Sequence, residues 1–125
     1  MLKVNKITPF IYTIDIQETI EFYVNQLGFN CEGFDIEIGW ARVELDNADL
    51  MISLPNSQLQ FQKPVFTGSF YFNMGNVDLF WERIKDNVKI CYPIENFEYG
   101  MREFGIYDNN GYLLQFGEEI INSIS

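Results

Sequence analysis

The sequence predicts an α+β fold in which two tandem βαβββ modules form curved mixed sheets around a concave groove. Three observations lead to this prediction. Each half contains short runs with strand-like alternation, each half contains one stretch with helical spacing, and the two halves resemble each other. The chain has 125 residues, of which 47% are hydrophobic, and this length suffices for one core but not for two full-sized domains. We therefore expect a single domain over residues 1–125.

The first module is expected over residues 7–55. The β-rich run 7–14 predicts the first strand, in which alternate side chains share one face. Asp15 then stands at an N-cap position, Glu18 completes a capping-box pattern, and Gly28 ends the helix. The apolar positions of this helix are Ile16, Ile20, Tyr23 and Leu27. Three more strands are expected at 29–37, 40–45 and 49–54, with Asp46-Asn47 as a turn between the last two.

The second module repeats this order. Residues 56–66 have no periodicity and predict a linker, and the module itself is expected over residues 67–119. Asn76 is the expected cap of its helix, whose apolar positions are Val77, Phe80, Trp81, Ile84 and Val88. Its strands are expected at 67–74, 88–97, 102–107 and 112–117.

The two halves also align residue by residue. The nine residues from Thr8 match the nine residues from Ser69, an offset of 61. Asp46-Asn47 matches Asp108-Asn109 at nearly the same offset. Because one such module cannot bury its own apolar face, the repeat predicts that two copies pack against each other.

The charge of the chain excludes several classes of partner. Eighteen acidic and eight basic residues give a net charge of −10, so nucleic acid and anionic membranes are poor partners. The same negative field would attract a cationic small molecule. No run of residues has the length or apolarity of a signal peptide or a membrane span, and we expect a cytoplasmic protein.

The chain contains no histidine. A serine–histidine or cysteine–histidine nucleophile is therefore excluded, and so is the commonest ligand of zinc, iron and nickel. Cys31 and Cys91 form no CxxC pair, and we expect both to be reduced thiols.

Two segments resemble a known family. TPFIYTIDIQETIEFYVNQLGF, beginning at Thr8, and MREFGIYDNNGYLLQFGEE, beginning at Met101, are similar to the opening and closing motifs of the vicinal oxygen chelate superfamily, which includes glyoxalases, bleomycin-resistance proteins and dioxygenases. The closing segment is most similar to the bleomycin-resistance branch. The resemblance covers nearly the whole chain and implies the fold of that family, a homodimer, and a groove for a small molecule.

Metal-dependent members of that family hold an ion with two ligands from each module. The resemblance places these ligand positions on Thr8, Met51, Ser69 and Gln115. Two hydroxyls, a thioether and an amide compete poorly with water for zinc, iron or nickel, so we expect no metal cofactor and lean against an enzyme.

Strand alternation puts further side chains on the same faces as these four positions. The residues that we expect to contact a ligand are Phe10, Tyr12, Trp40, Met51, Ser53, Ser69, Tyr71, Glu103 and Gln115. Ordinary core packing is the alternative for the aromatic residues, and a capping role at a strand end is the alternative for Trp40. Trp81 is expected in the core, and Phe97 and Tyr99 at the rim of the groove. Arg102 and Glu103 also fit a surface ion pair, while Glu103 alone would offer a carboxylate to a cationic ligand.

Three functions remain open from the sequence. The first is metal-independent sequestration of a cationic or aromatic compound, as in antibiotic resistance, which the resemblance implies. The second is a glyoxalase- or dioxygenase-like lyase or isomerase with atypical metal ligands. The third is a related protein whose pocket has closed and which serves only as an interaction module.

Overall fold

The computed structural model describes residues 2–55 and 61–121. It consists of two compact units, Met1–Pro64 and Val65–Ser125, each with its own sheet and helix. The strand order is β1-β4-β3-β2 in the first sheet and β5-β8-β7-β6 in the second. In both sheets the first strand runs parallel to the last, and the other pairs are antiparallel. The predicted α+β class and the order βαβββ in each half are thus confirmed.

The bounds of the elements follow the predictions closely. The first unit contains β1 (Phe10–Tyr12), α1 (Ile16–Glu21), β2 (Asn30–Asp35), β3 (Trp40–Leu45) and β4 (Ala48–Ser53). The second unit contains β5 (Phe70–Asn73), α2 (Val77–Ile84), β6 (Lys89–Asn96), β7 (Met101–Tyr107) and β8 (Leu113–Glu119). Both first strands are shorter than predicted.

Helix α1 begins as the sequence predicts. The Asp15 carboxylate accepts a hydrogen bond from the backbone N–H of Glu18 at 3.0 Å. The helix then widens into a π-helical segment, Phe22–Gln26. Thr19, rather than the predicted Ile20, is fully buried. Burial of this hydroxyl is inexpensive because it donates to the Asp15 carbonyl at 2.8 Å.

The predicted cap of α2 is wrong. Asn76 precedes the helix in the left-handed region, with φ of 57°, and its side chain makes no capping hydrogen bond. The Glu118 carboxylate, which β8 supplies, instead accepts from the backbone N–H of Val77 at 3.0 Å. Sequence patterns report only local caps, whereas this cap comes from 41 residues away. Val88 lies beyond the end of α2, so it does not extend the apolar face of the helix.

Each sheet buries the face that packs on its own helix. In the second unit, Phe104 and Phe116 lie under α2, and the Phe80 ring is 5.0 Å from that of Phe116. Trp81 is only partly buried, although its ring is 5.0 Å from that of Phe104. The first unit buries Ile11, Ala41, Val43, Leu50 and Ile52 together with Ile16, Tyr23, Leu27 and Phe29. Since strand side chains alternate, the neighbouring residues project from the opposite face of each sheet.

The closing motif is a turn. The carboxylate of Asp108 accepts hydrogen bonds from the backbone N–H groups of Asn110, Gly111 and Tyr112 at 2.8 to 2.9 Å. This arrangement fixes the connection between β7 and β8. In the first unit, Asp46, with φ of 51°, begins the two-residue turn between β3 and β4.

The edge strands β2 and β6 are irregular. The pairing of β2 with β3 shifts between Cys31 and Gly33. The pairing of β6 with β7 shifts twice, on either side of Tyr92. Such shifts are β-bulges, which bend a strand and redirect its side chains.

Within residues 2–55 and 61–121, no helix is long and apolar enough to cross a membrane.

The Glu118 cap gives a testable prediction for the stability of the second unit. Glu118→Ala should lower the free energy of unfolding by about 1 kcal/mol, because the first turn of α2 loses its acceptor. Glu118→Gln keeps an acceptor oxygen and should lose less. Urea unfolding measures both variants. The exposed neighbour Glu119→Ala is the control, and an equal loss in this variant would contradict the capping role.

Candidate functional site

The predicted ligand-contact residues fall into two groups. The first unit carries Phe10, Tyr12, Trp40, Met51 and Ser53 on the sheet face away from α1, and the second unit carries Ser69, Tyr71, Glu103 and Gln115 on the sheet face away from α2. Side-chain hydrogen bonds join the members of the second group to one another.

In the first unit, the predicted residues form two rows across the sheet. Across the β1–β4 pair, Phe10 lies beside Met51 and Tyr12 lies beside Ser53. Trp40 of β3 flanks Ser53 from the opposite edge of β4. The Phe10 and Tyr12 rings are in edge contact at 6.0 Å. Phe10 is 52% exposed, so core packing does not account for it.

An ion-pair cluster occupies the rest of this face. Asp49 is buried, and its carboxylate contacts the Arg42 guanidinium and the Lys6 ammonium, each at 2.8 Å. Thr8, one of the four ligand positions, also donates to it at 2.8 Å. The hydrogen bond from Arg42 is the main cause that holds the pKa of Asp49 far below its usual range, although burial acts in the opposite direction.

In the second unit, a hydrogen-bond network centres on a buried carboxylate. Glu103 is 1% exposed. Its Oε1 accepts from the Tyr71 hydroxyl at 2.8 Å, and its Oε2 accepts from the Tyr92 hydroxyl at 2.5 Å. The Gln115 amide donates to the Tyr92 oxygen at 2.9 Å, and the Ser69 hydroxyl donates to the Gln115 carbonyl oxygen. The network therefore joins β5, β6, β7 and β8.

Two glycines make room for this network. A Cβ on Gly117 would lie 2.0 Å from the Tyr71 hydroxyl, and a Cβ on Gly105 would lie 2.4 Å from the Tyr92 ring. Any larger residue at either position would push its tyrosine away from Glu103. Glycine within a strand often marks such a close approach.

The environment keeps both tyrosines protonated. Burial is the main cause that raises the pKa of Tyr71 and of Tyr92, and the hydrogen bond to the Glu103 carboxylate raises each further. Both hydroxyls are therefore hydrogen-bond donors at neutral pH. A phenol that stays protonated at neutral pH is a poor general base and a poor nucleophile there.

Aromatic rings border the network. The Tyr92 and Phe97 rings are 5.7 Å apart and nearly perpendicular, at 85°. Tyr99 stacks on Phe97 at 5.5 Å with an angle of 12° and is 65% exposed. Partial desolvation of its hydroxyl and the negative charge of the nearby Glu103 carboxylate raise the pKa of Tyr99. The loop between β6 and β7 thus brings the two predicted rim residues to the Glu103 network.

The predicted surface pair of Arg102 and Glu103 is wrong. The Arg102 guanidinium binds the Asp78 carboxylate of α2 at 2.8 Å, on the helix side of the sheet. Since neighbouring strand residues point to opposite faces, Glu103 projects to the other side.

The four ligand positions do not fit a metal ion. Thr8 is hydrogen-bonded to Asp49, and Met51 lies opposite Arg42 in the sheet. Ser69 and Gln115 are hydrogen-bonded to each other. The carboxylate nearest the first pair, Asp49, is already bound by Arg42 and Lys6, and neutral oxygens with a thioether are weak ligands. Within the described ranges, no three of the histidine, cysteine, aspartate and glutamate side chains converge as a metal site would require.

Sequence reasoning missed Tyr92, Arg42 and Asp49. The β-bulges beside Tyr92 break the alternation from which its orientation could have been read. Glycine in the strand runs REFGIY and LLQFGEE was the available signal, because both glycines lie beneath tyrosine side chains.

The Asp49 cluster predicts a pH-dependent stability. Because the folded-state pKa of Asp49 is depressed, its contribution is present above the ordinary aspartate pKa of about 3.9 and is lost as pH falls below it. Asp49→Asn should therefore cost about 1–2 kcal/mol at pH 7, since its cationic partners reach solvent, and clearly less at pH 3. Urea unfolding at both pH values measures this. The control is Asp46→Asn, which removes a carboxylate from the exposed turn. If Asp49→Asn lowered the free energy of unfolding as much at pH 3 as at pH 7, the ionised Asp49 would not be the source of the stabilisation.

The comparisons with known proteins give a consistent picture. The family model described as "Glyoxalase/Bleomycin resistance protein/Dioxygenase superfamily" matches residues 3–116. No curated protein sequence matches the chain significantly.

Solved structures share the fold at low sequence identity. TioX from Micromonospora sp. ML1 is 15% identical with a TM-score of 0.74, and the match covers 94% of this chain and 100% of that one. A glyoxalase/bleomycin resistance protein/dioxygenase from Alicyclobacillus acidocaldarius is 15% identical with a TM-score of 0.76, covering 94% and 92%. A protein of unknown function from Agrobacterium tumefaciens str. C58 is 23% identical with a TM-score of 0.73, covering 96% of each chain. With nearly its whole length matched by the family model, the chain belongs to the glyoxalase/bleomycin resistance protein/dioxygenase superfamily.

Proposed function

We propose that this protein is a metal-independent binder of the bleomycin-resistance type, which sequesters a cationic or aromatic small molecule. The observation that carries the proposal is the Glu103 carboxylate, which is buried beneath tyrosine hydroxyls on the sheet face away from α2.

The charge on Glu103 has no cationic partner in the described ranges 2–55 and 61–121. The ion pairs there involve Asp49, Glu44, Glu82 and Asp78. Burial of a carboxylate without an opposite charge is unfavourable, and two phenol hydrogen bonds offset only part of that cost. A cationic ligand would supply the missing charge at a site where screening by water is weak.

The surroundings favour the same class of ligand. The net charge of −10 raises the local concentration of cations. Tyr71, Tyr92, Phe97 and Tyr99 offer ring faces to a flat or cationic group. Sequestration requires only tight, stoichiometric binding. It therefore does not need a metal ion at the four ligand positions.

Calorimetric titration with copper-loaded bleomycin and with ethidium, a planar aromatic cation, tests the proposal. We expect saturable binding of at least one compound at one per chain. Glu103→Gln, a neutral isostere, should weaken binding about tenfold, which corresponds to about 1.4 kcal/mol. The control is Glu82→Gln, which removes the same charge on the helix side and should change affinity less than about twofold.

Two results would contradict sequestration at this site. One is the absence of saturable heat with either compound at millimolar concentration. The other is an equal loss of affinity in Glu103→Gln and Glu82→Gln, which would mean that only the overall charge matters.

We also propose that the binding form is a homodimer, as the family resemblance implies. Light scattering at micromolar concentration should then give twice the mass of the chain. The mass of a single chain would overturn this proposal without affecting the ligand titration.

A further inference from the structure

The Glu103 carboxylate has no oxygen that is free of a phenol hydrogen bond. Oε1 accepts from Tyr71 and Oε2 accepts from Tyr92. Since Glu103 is only 1% exposed, a ligand cannot reach the carboxylate unless it displaces a tyrosine. The carboxylate therefore acts on a ligand through its charge and not through a direct hydrogen bond.

The surface that a ligand would meet is aromatic. The Tyr92 and Phe97 rings form two walls at 85°, with 5.7 Å between centroids. Tyr99 stacks on one face of Phe97 and is itself 65% exposed, and Tyr71 is 38% exposed. We call these four residues the aromatic walls. Perpendicular ring faces above a buried negative charge suit a compact cation.

The type of cation follows from its hydrogen-bonding needs. A primary ammonium carries three N–H donors, and each lost hydration bond must be replaced on binding. Here the Glu103 oxygens are buried, and the Tyr92 oxygen already accepts from the Gln115 amide. Within this network, the Tyr71 oxygen is therefore the main acceptor left for a primary ammonium, and it cannot replace three hydration bonds. A fully alkylated cation has no such donors and gives up fewer hydrogen bonds when it leaves water.

We propose that the aromatic walls and the buried Glu103 form a binding site for a fully alkylated cation, such as a quaternary ammonium, and that this site discriminates against primary ammonium groups. The inference rests on the proposed function and specifies the chemical class of its ligand. In this arrangement the rings contact the cation and Glu103 balances its charge from beneath.

A matched pair of probes tests the inference. Benzyltrimethylammonium and benzylammonium carry the same ring and the same charge at pH 7 but differ in N–H donors. In titrations followed by NMR, the wild-type protein should bind benzyltrimethylammonium at least about fivefold more tightly, with shifts of the Tyr71, Tyr92 and Tyr99 ring signals.

Three variants accompany the probes. Glu103→Gln should weaken binding of benzyltrimethylammonium about tenfold, and Glu82→Gln should leave it within about twofold. Tyr99→Leu removes an exposed ring, so the variant should fold normally and still bind the probe several-fold more weakly. It keeps the test decisive if Glu103→Gln does not fold.

The inference would be overturned if benzylammonium bound as tightly as benzyltrimethylammonium or more tightly. It would also be overturned if neither probe bound. Unchanged binding in Tyr99→Leu together with unshifted ring signals would also overturn it. These outcomes leave sequestration intact if copper-loaded bleomycin or ethidium still binds. If those larger compounds also fail, the proposed function fails with the inference.

Discussion

The burial of a carboxylate beneath phenol groups is the constraint that shapes the second unit. Glu103 has its two oxygens satisfied by Tyr71 and Tyr92, whose strands lie on opposite sides of the β7–β8 pair. Both tyrosines cross the sheet surface to reach it, and they do so over Gly117 and Gly105. The polar network, the glycines in the strands and the position of the aromatic rings are therefore parts of one arrangement.

The two units accommodate a buried carboxylate in different ways. Trp40 occupies the position in the first sheet that Glu103 occupies in the second. In the first sheet, Phe10 pairs with Met51 and Trp40 pairs with Ser53, two residues further along β4. In the second sheet, Tyr71 pairs with Gln115 and Glu103 pairs with Gly117, two residues further along β8. The first unit buries Asp49 instead and neutralises it with arginine and lysine. One face thus has its acidic charge balanced internally, while the other relies on neutral donors. The second unit therefore carries the buried acidic charge that no cationic side chain of the described residues balances.

The sequence predicted the elements well because they depend on local signals. Alternation located the strands, and the Asp15 cap located the start of α1. The errors come from interactions between distant residues: Glu118 rather than Asn76 caps α2, and Arg102 pairs with Asp78 rather than with Glu103. The sequence also predicted Ser69, Tyr71, Glu103 and Gln115 as ligand contacts, but it did not show that hydrogen bonds join them in one network. That connection requires Tyr92, whose orientation depends on the bulges in β6.

The irregularity of β6 also affects how this chain meets other chains. A regular strand at the edge of a sheet presents a row of unpaired N–H and C=O groups, on which a foreign strand can add. In β6 the bulges disturb the spacing of these groups, and Pro93 removes one N–H altogether. The same distortion that turns Tyr92 toward Glu103 therefore protects this edge from the addition of a foreign strand, so mutations that regularise β6 would lower solubility as well as disturb the Glu103 network.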